Sequence, residues 1–194
     1  MKLVPTRHPE VTLIEPRLFH DERGFFLETF HAERYRQAGI TAPFVQDNHS
    51  HSRRHVLRGL HYQLRNAQGK LIEVKRGRIF DVAVDVRRGS PHFGLWVGVE
   101  LDADRHQQLW IPPGFAHGFL VLSEQADVVY KCTAPYDPAA EQGVRWDDAS
   151  LGIAWPVDAG EVVLSDKDRH LPALPDQLYL PEFPPVVEPS LRVP

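Results

Sequence analysis

The feature that most narrows the fold is a succession of short β-favouring segments, interrupted at roughly ten-residue intervals by clusters of Gly, Pro, Asn, Asp and Ser. The clearest are Val56–Gln63, Leu71–Arg76, Arg78–Val86, Leu95–Leu101, Gln108–Ile111, Gly118–Leu122 and Val128–Thr133. Spacing of this kind points to a sandwich or barrel of the jelly-roll type. Period-two alternation supports it: in Arg78–Val86, Phe80, Val82, Val84 and Val86 share one face, and Asp81, Ala83 and Asp85 lie opposite. Two helical pieces are expected, His31–Ala38 closed by Gly39, and a short turn around Asp147–Leu151. The expected fold is all-β, a jelly-roll enclosure with few short helices.

The 194 residues suit one domain, read as residues 1–180, followed by a proline-rich, weakly patterned tail at 181–194. A net charge of −4 argues against nucleic acid as the main partner, because phosphate backbones select a basic excess. It leaves room for a local cluster of Arg and Lys around a small anion. Cys132 is the only cysteine, so an intrachain disulfide is impossible, in keeping with a reducing compartment. The first residues lack the apolar core of a signal peptide, and no stretch approaches the roughly 18 apolar residues of a membrane helix. The expected location is cytoplasmic.

Eleven histidines are many for this length. His8, His20, His31, His92, His106 and His170 lie in turn-like or polar surroundings and read as surface residues. The run H-S-H-S-R-R-H places His49, His51 and His55 together. A His-x-His pair on a strand points both rings to one side, as a metal site requires, but no carboxylate follows at close spacing, so the run reads as a polar loop.

His61 lies within a β-prone run and shares a face with Gln63. Taken alone it reads as a satisfied core histidine. The turn Asn66-Ala67-Gln68-Gly69 changes the weighting, because folding back across it brings Lys70 towards His61. A second hairpin follows the same logic: Pro112-Pro113-Gly114 leads into a strand that starts with His117, and the turn Ser123–Ala126 returns Tyr130 to the level of His117. A base, a cation, a polar neighbour and a weak acid around one cavity are expensive to bury without a purpose. The set suits proton abstraction beside a carbonyl. A neutral imidazole takes the proton, a fixed donor steadies the enolate, and Tyr130 returns a proton to the opposite face. Neither a nucleophile elbow nor a phosphate-binding glycine loop nor a dinucleotide fingerprint is present.

These residues also carry a family resemblance. D-E-R-G-F-F at Asp21–Phe26, F-V-Q-D-N at Phe44–Asn48, R-G-L-H-Y-Q at Arg58–Gln63 and G-K-L-I-E-V at Gly69–Val74 resemble the dTDP-4-dehydrorhamnose 3,5-epimerases. So do P-P-G-F-A-H-G-F at Pro112–Phe119, W-D-D at Trp146–Asp148 and L-S-D-K-D at Leu164–Asp168, in order from about Thr12 to Leu174. The resemblance implies a cupin-type jelly roll acting as a homodimer, without metal or organic cofactor, on a dTDP-linked 4-keto-6-deoxy sugar. It implies His61 as base, Asp168 as the carboxylate that orients it, Tyr130 as proton donor, and Lys70 with His117 at the keto oxygen. It implies substrate contacts from Arg23, Glu28, Gln46, Asp47, Asn48, Arg58, Glu141 and Lys167, with Tyr136 stacked on the thymine. Arg23 is implied to reach the neighbouring subunit's site.

Three rival readings stand beside it. A single-centre epimerase, inverting carbon 3 or carbon 5 only, keeps a similar base. A metal-dependent cupin pairs His-x-His with a nearby carboxylate, whereas position 63 here is Gln. A non-catalytic sugar-binding jelly roll leaves His61, Lys70 and Tyr130 unexplained.

Overall fold

In the computed structural model, which describes residues 1–183, the alternating segments build two antiparallel sheets that face each other. Four strands precede the first helix: β1 (Lys2–Pro5), β2 (Thr12–Glu15), β3 (Leu18–Asp21) and β4 (Gly24–Leu27), then α1 (Ala32–Gln37). Next come β5 (Gln46–Arg53), β6 (Leu57–Gln63), β7 (Lys70–Arg76), β8 (Arg78–Asp85) and β9 (Trp96–Asp102). The series closes with β10 (Gln108–Ile111), β11 (Phe115–Val121), β12 (Gln125–Cys132), β13 (Glu141–Gly143) and a one-turn helix α2 (Asp166–Arg169). One sheet runs β1-β2-β10-β7-β12-β5 and the other β13-β6-β11-β8-β9, while β3 and β4 pair only with each other. This is the jelly roll that the strand spacing predicts, of the cupin-like type that the resemblance implies. Among the described residues, no helix is long and apolar enough to cross a membrane.

Period-two alternation divides each strand between two cores. Ile72 and Val74 of β7, Ile79 and Ala83 of β8, Leu109 and Ile111 of β10, and Phe115, Phe119 and Val121 of β11 meet between the sheets. The opposite faces are covered as well. Leu60, Tyr62, Val82, Val84 and Ala116 pack under Val144, Leu151 and Leu174 from the chain that follows β13. Leu71, Trp110 and Ile14 pack under Tyr35 of α1 and Ile40. Phe80, Val82, Val84 and Val86 therefore point outward from the barrel, beneath this cover, and Asp81, Ala83 and Asp85 point inward.

Several expectations need correction. The run at His49 and His51 is not a loop but the strand β5, and the left-handed turn comes only at His55 (φ 64°). Residues Asp147–Leu151 form turns rather than a helix, with the Asp148 carboxylate accepting the N–H groups of Ser150 and Leu174. The second helix is α2, capped by the Ser165 hydroxyl. His8 is fully buried rather than at the surface. Of the proline-rich tail, residues 181–183 are held by backbone hydrogen bonds between Arg88 and both Pro181 and Phe183, and residues 184–194 lie outside the described part.

His8 belongs to a clasp that ties the N-terminal strands to the barrel. Arg87, whose side chain is 2% exposed, donates to both oxygens of Asp85 (2.9 and 2.8 Å) and of Glu10 (2.9 and 2.7 Å). Its guanidinium stacks on Phe115 and Phe183. The Pro112-Pro113-Gly114 corner makes room for it: Gly114 has φ +90°, and a Cβ there would lie 2.7 Å from Arg87 Cγ and Cδ. Arg87→Ala leaves the Asp85 carboxylate buried without its cation, and the expected loss is about 3–5 kcal/mol of unfolding free energy in urea titration. His8 Nε2 lies 3.4 Å from Asp85 Oδ2, and burial holds the imidazole below its ordinary pKa despite that carboxylate. The unfolded chain then protonates His8 first, so stability is lost as pH falls through about 6.5. Urea titrations of the parent and His8→Gln at pH 7 and pH 5 should show a smaller loss in the variant.

Candidate active site

The inward faces mix apolar and polar positions, and on β11 His117 stands between Phe115 and Phe119. On β6 and β11, antiparallel neighbours, His61 stands directly opposite His117, and the pairing slips between His117 and Phe119. Two glycines allow this. At Gly59 (φ +114°) a Cβ would lie 2.6 Å from both Gly118 Cα and the His117 carbonyl oxygen. At Gly118 a Cβ would lie 2.6 Å from the Arg58 carbonyl oxygen. Any side chain at either position would force the two strands, and the two imidazoles, apart.

Lys70 and Tyr130 come from the other sheet, where β7 and β12 pair with Cys132 opposite Lys70. The turns after β6 and β11 are thus not hairpin turns but crossings between sheets. Lys70 and Tyr130 face the histidines across the barrel interior instead of lying beside them in one ladder. His117 also sits in mid-strand rather than at a strand start. A cavity of about 420 Å³ is lined by His61, Lys70, His117, Tyr130, Asp168 and Arg58, among others. An adjoining one of about 250 Å³ shares His61, Lys70 and Tyr130 and adds Gln46, Asn48, Tyr136 and Glu141.

His61 Nε2 lies 2.6 Å from Asp168 Oδ1. Asp168 is 3% exposed. Burial alone would raise its pKa, but the His61 hydrogen bond and charge, Ser165 and the Gly59 N–H outweigh it and hold the carboxyl below its usual value. An ionised Asp168 accepts the Nε2 proton, which leaves the His61 lone pair on Nδ1. Glu141 Oε1 is 3.7 Å from that nitrogen.

A second dyad repeats the pattern. His117 Nε2 lies 3.1 and 3.0 Å from the two oxygens of Asp81, which is fully buried on the inward face of β8. Burial, with Lys70 and His61 nearby, lowers the His117 pKa despite Asp81. A neutral His117 whose Nε2 proton is directed at Asp81 has only an acceptor at Nδ1. Lys70 is therefore the better donor to an oxygen in the cavity. Burial pulls Lys70 below its ordinary value, against the pull of Cys132, Asp81 and Glu141, and the group donates N–H whether charged or neutral. Burial raises Tyr130, so its phenol keeps its proton at neutral pH.

Glu141 organises the mouth of the site. Its Oε2 accepts from Lys167 Nζ and from the Tyr136 hydroxyl, each at 2.5 Å. Burial acts to raise its pKa, but these bonds and His61 hold it low. The Glu141 hydrogen bond in turn pushes Tyr136 up to about 12. Arg58 is steadied by Ser52 Oγ at 3.0 Å and by the His51 carbonyl.

Three of the expected contact residues stand elsewhere. Arg23 pairs with Asp21 on the exposed β3–β4 hairpin, its side chain 85% exposed. Glu28 pairs with Arg34 of α1. Asp47 points outward from β5 to Lys131. One buried partner of a site residue went unrecognised in the sequence, Asp81, which pairs with His117. The alternation in Arg78–Val86 put it opposite the apolar face without showing that the opposite side is the barrel interior. Among the described residues, no cluster of three or more His, Cys, Asp or Glu side chains could hold a metal ion.

Comparison with known proteins places the chain in a family. Residues 5–176 match the family model described as dTDP-4-dehydrorhamnose 3,5-epimerase. A Pseudomonas aeruginosa protein of that name is 52% identical over 177 residues, 91% of this chain and 97% of the relative. A Neisseria gonorrhoeae relative of the same name is 52% identical over 168 residues, 87% of this chain, which spans only about half (51%) of that longer protein. The structure of a dTDP-6-deoxy-D-glucose-3,5-epimerase from Legionella pneumophila, in complex with dTDP-4-keto-L-rhamnose, superposes with a TM-score of 0.90 at 50% identity, covering 94% of this chain and 98% of that one. A 3'-monoepimerase from Streptomyces bikiniensis, in complex with dTDP-quinovose, gives 0.82 at 40% identity, covering 88% and 87%. The two His–Asp dyads, the cavity they share and the match over residues 5–176 lead to one conclusion: this chain belongs to the dTDP-4-dehydrorhamnose 3,5-epimerase family.

Proposed function

We propose that the chain is an isomerase that inverts carbons 3 and 5 of dTDP-4-dehydro-6-deoxy-D-glucose, giving dTDP-4-dehydro-L-rhamnose. The observation that carries this reading is the origin of base and acid on facing sheets. His61 belongs to the five-stranded sheet and Tyr130 to the six-stranded one, so a sugar ring held between them has a base on one face and an acid on the other.

The steps follow from the hydrogen bonds. Asp168 holds the Nε2 proton of His61, and Nδ1 takes the proton from the carbon beside the ketone. The C–H electron pair moves into the ring as a C=C bond, and the carbonyl π pair goes to oxygen. The enolate oxygen accepts a hydrogen bond from Lys70. The Tyr130 hydroxyl then delivers its proton to the opposite face of the carbon. The ketone reforms with the centre inverted, the phenolate regains a proton from solvent, and the His61 imidazolium gives up the abstracted proton to solvent, so that both groups are reset. The same cycle at the carbon on the other side of the ketone completes the double inversion. Arg58 and Lys167 supply charge for the diphosphate. Gln46, Asn48, Glu141 and Tyr136 line the adjoining cavity, where a half-exposed Tyr136 ring offers a face to the thymine.

Proton NMR of the substrate in deuterated water tests this. Deuterium should enter at both carbon 3 and carbon 5, and label at one carbon only would replace the proposal with a single-centre epimerase. His61→Ala should slow exchange by about 10²–10⁴-fold. Tyr130→Phe should still let deuterium enter from the His61 side while suppressing the inverted product. If the folded Tyr130→Phe protein loses exchange as fully as His61→Ala, the two-faced mechanism is wrong.

We also infer a homodimer in which Arg23 serves the partner's site. Its hairpin exposes Phe19, Phe25 and Phe26, an apolar surface that another chain can cover. Mixing Arg23→Ala with His61→Ala under subunit exchange should then recover about a quarter of parental activity, because one site in each mixed dimer is complete. No recovery in demonstrably mixed dimers would assign Arg23 to its own chain.

A further inference from the structure

Along β5 the side chains at 46, 48, 50 and 52 face inward, and those at 47, 49, 51 and 53 face outward. Three of the four inward groups are satisfied. Gln46 donates to Asn48 Oδ1 and accepts the Tyr136 N–H, Asn48 donates to Cys132 Sγ, and Ser52 Oγ accepts from Arg58. Ser50 differs. Its Oγ is the one side-chain N or O atom among the described residues that is shut from solvent with no hydrogen-bond partner. The residue nonetheless lines the larger cavity, with His61, Lys70, His117, Tyr130 and Asp168.

A buried hydroxyl without a partner destabilises the ligand-free protein. Ser50 has no partner on its own ladder, since it stands opposite Val128 of β12. The flanking lining residues Val56, Leu57 and Phe119 are apolar. A serine has three staggered χ1 wells, and rotation between them swings Oγ from the strand towards the space its Cβ borders.

We propose that Ser50 is a substrate-positioning residue whose hydroxyl turns into the cavity and donates a hydrogen bond to a non-reacting oxygen of the bound sugar. The proposal rests on the nucleotide-sugar reading above. The choice of sugar over nucleotide follows from the lining. Ser50 shares its cavity with all five residues assigned to the chemistry and with none of Gln46, Asn48, Tyr136 or Glu141. The cost of the unpaired hydroxyl falls on the free protein and is relieved in the complex, which makes the contact one of recognition rather than stability.

Calorimetric titration of the parent and Ser50→Ala with dTDP and with dTDP-glucose, which lacks the ketone and does not turn over, separates the possibilities. The expected result is dTDP-glucose bound about three- to tenfold more weakly by the variant, with dTDP affinity changed less than about twofold. The ligand-free variant should melt at the same temperature as the parent or higher, because it loses an unsatisfied group. Equal weakening of both ligands would move the contact to the diphosphate and overturn the proposal. Unchanged affinity for both, or a lower melting temperature without ligand, would overturn it as well. Deuterium exchange by the parent reports separately on the epimerase reading. Failure there, beside a selective loss of dTDP-glucose affinity in Ser50→Ala, would leave Ser50 as a sugar contact in a protein of other chemistry.

Discussion

Two facing sheets enclose a single interior, and that interior has to be filled. Here the requirement is met in two ways at once. Over most of its length the space closes on Ile72, Val74, Ile79, Leu109, Ile111 and Phe119, packed between the sheets. Elsewhere the same inward faces carry His61, Lys70, His117 and Tyr130, with Asp81 behind His117, and the space stays open. Everything about the site follows from this division. Groups that would be solvated on a surface are held where burial shifts their proton affinities, and carboxylates are supplied to offset it. Asp168 and Asp81 each meet one imidazole, so both rings sit in fixed tautomers instead of reorienting in an open pocket.

The outline of the barrel was legible in the sequence because strands repeat with period two and turns announce themselves through Gly, Pro, Asn and Asp. That period put Phe80, Val82, Val84 and Val86 on one face, and they do share one. It could not say which face was the interior. The more hydrophobic side of β8 turned out to be the outer one, covered by the chain around Val144, Leu151 and Leu174. Apolar content alone does not distinguish inside from outside when both faces of a sheet are buried. The same ambiguity concealed Asp81.

β5 was misread for a related reason. Its inward residues, Gln46, Asn48, Ser50 and Ser52, are polar because they border a cavity, and its outward residues are charged or histidine because they border water. A strand polar on both faces carries no hydrophobic signal and looks like a loop. Arg23 and Glu28 illustrate a different limit: their family positions are matched in sequence, yet within one chain they stand away from the cavity. The hairpin turns of the sequence reading had the right neighbours and the wrong geometry. Lys70 and Tyr130 do come to the histidines, across the interior and not along a ladder.

The segment that supplies Asp168 reaches the barrel by a route with its own consequence. Val163 pairs in parallel with Val56, and backbone bonds to Leu57 and His55 lay the chain across the start of β6 before the Ser165 cap turns Asp168 inward. His61 and Asp168 are 107 positions apart in the chain. Every strand of both sheets is therefore made before the partner of His61 has been synthesised. A nascent chain that has emerged only through β13 carries every strand and the imidazole but lacks both the cover of Val144, Leu151 and Leu174 and the carboxylate that fixes the tautomer. The His61–Asp168 pair thus forms only when the segment after β13 docks, and not with the sheets themselves.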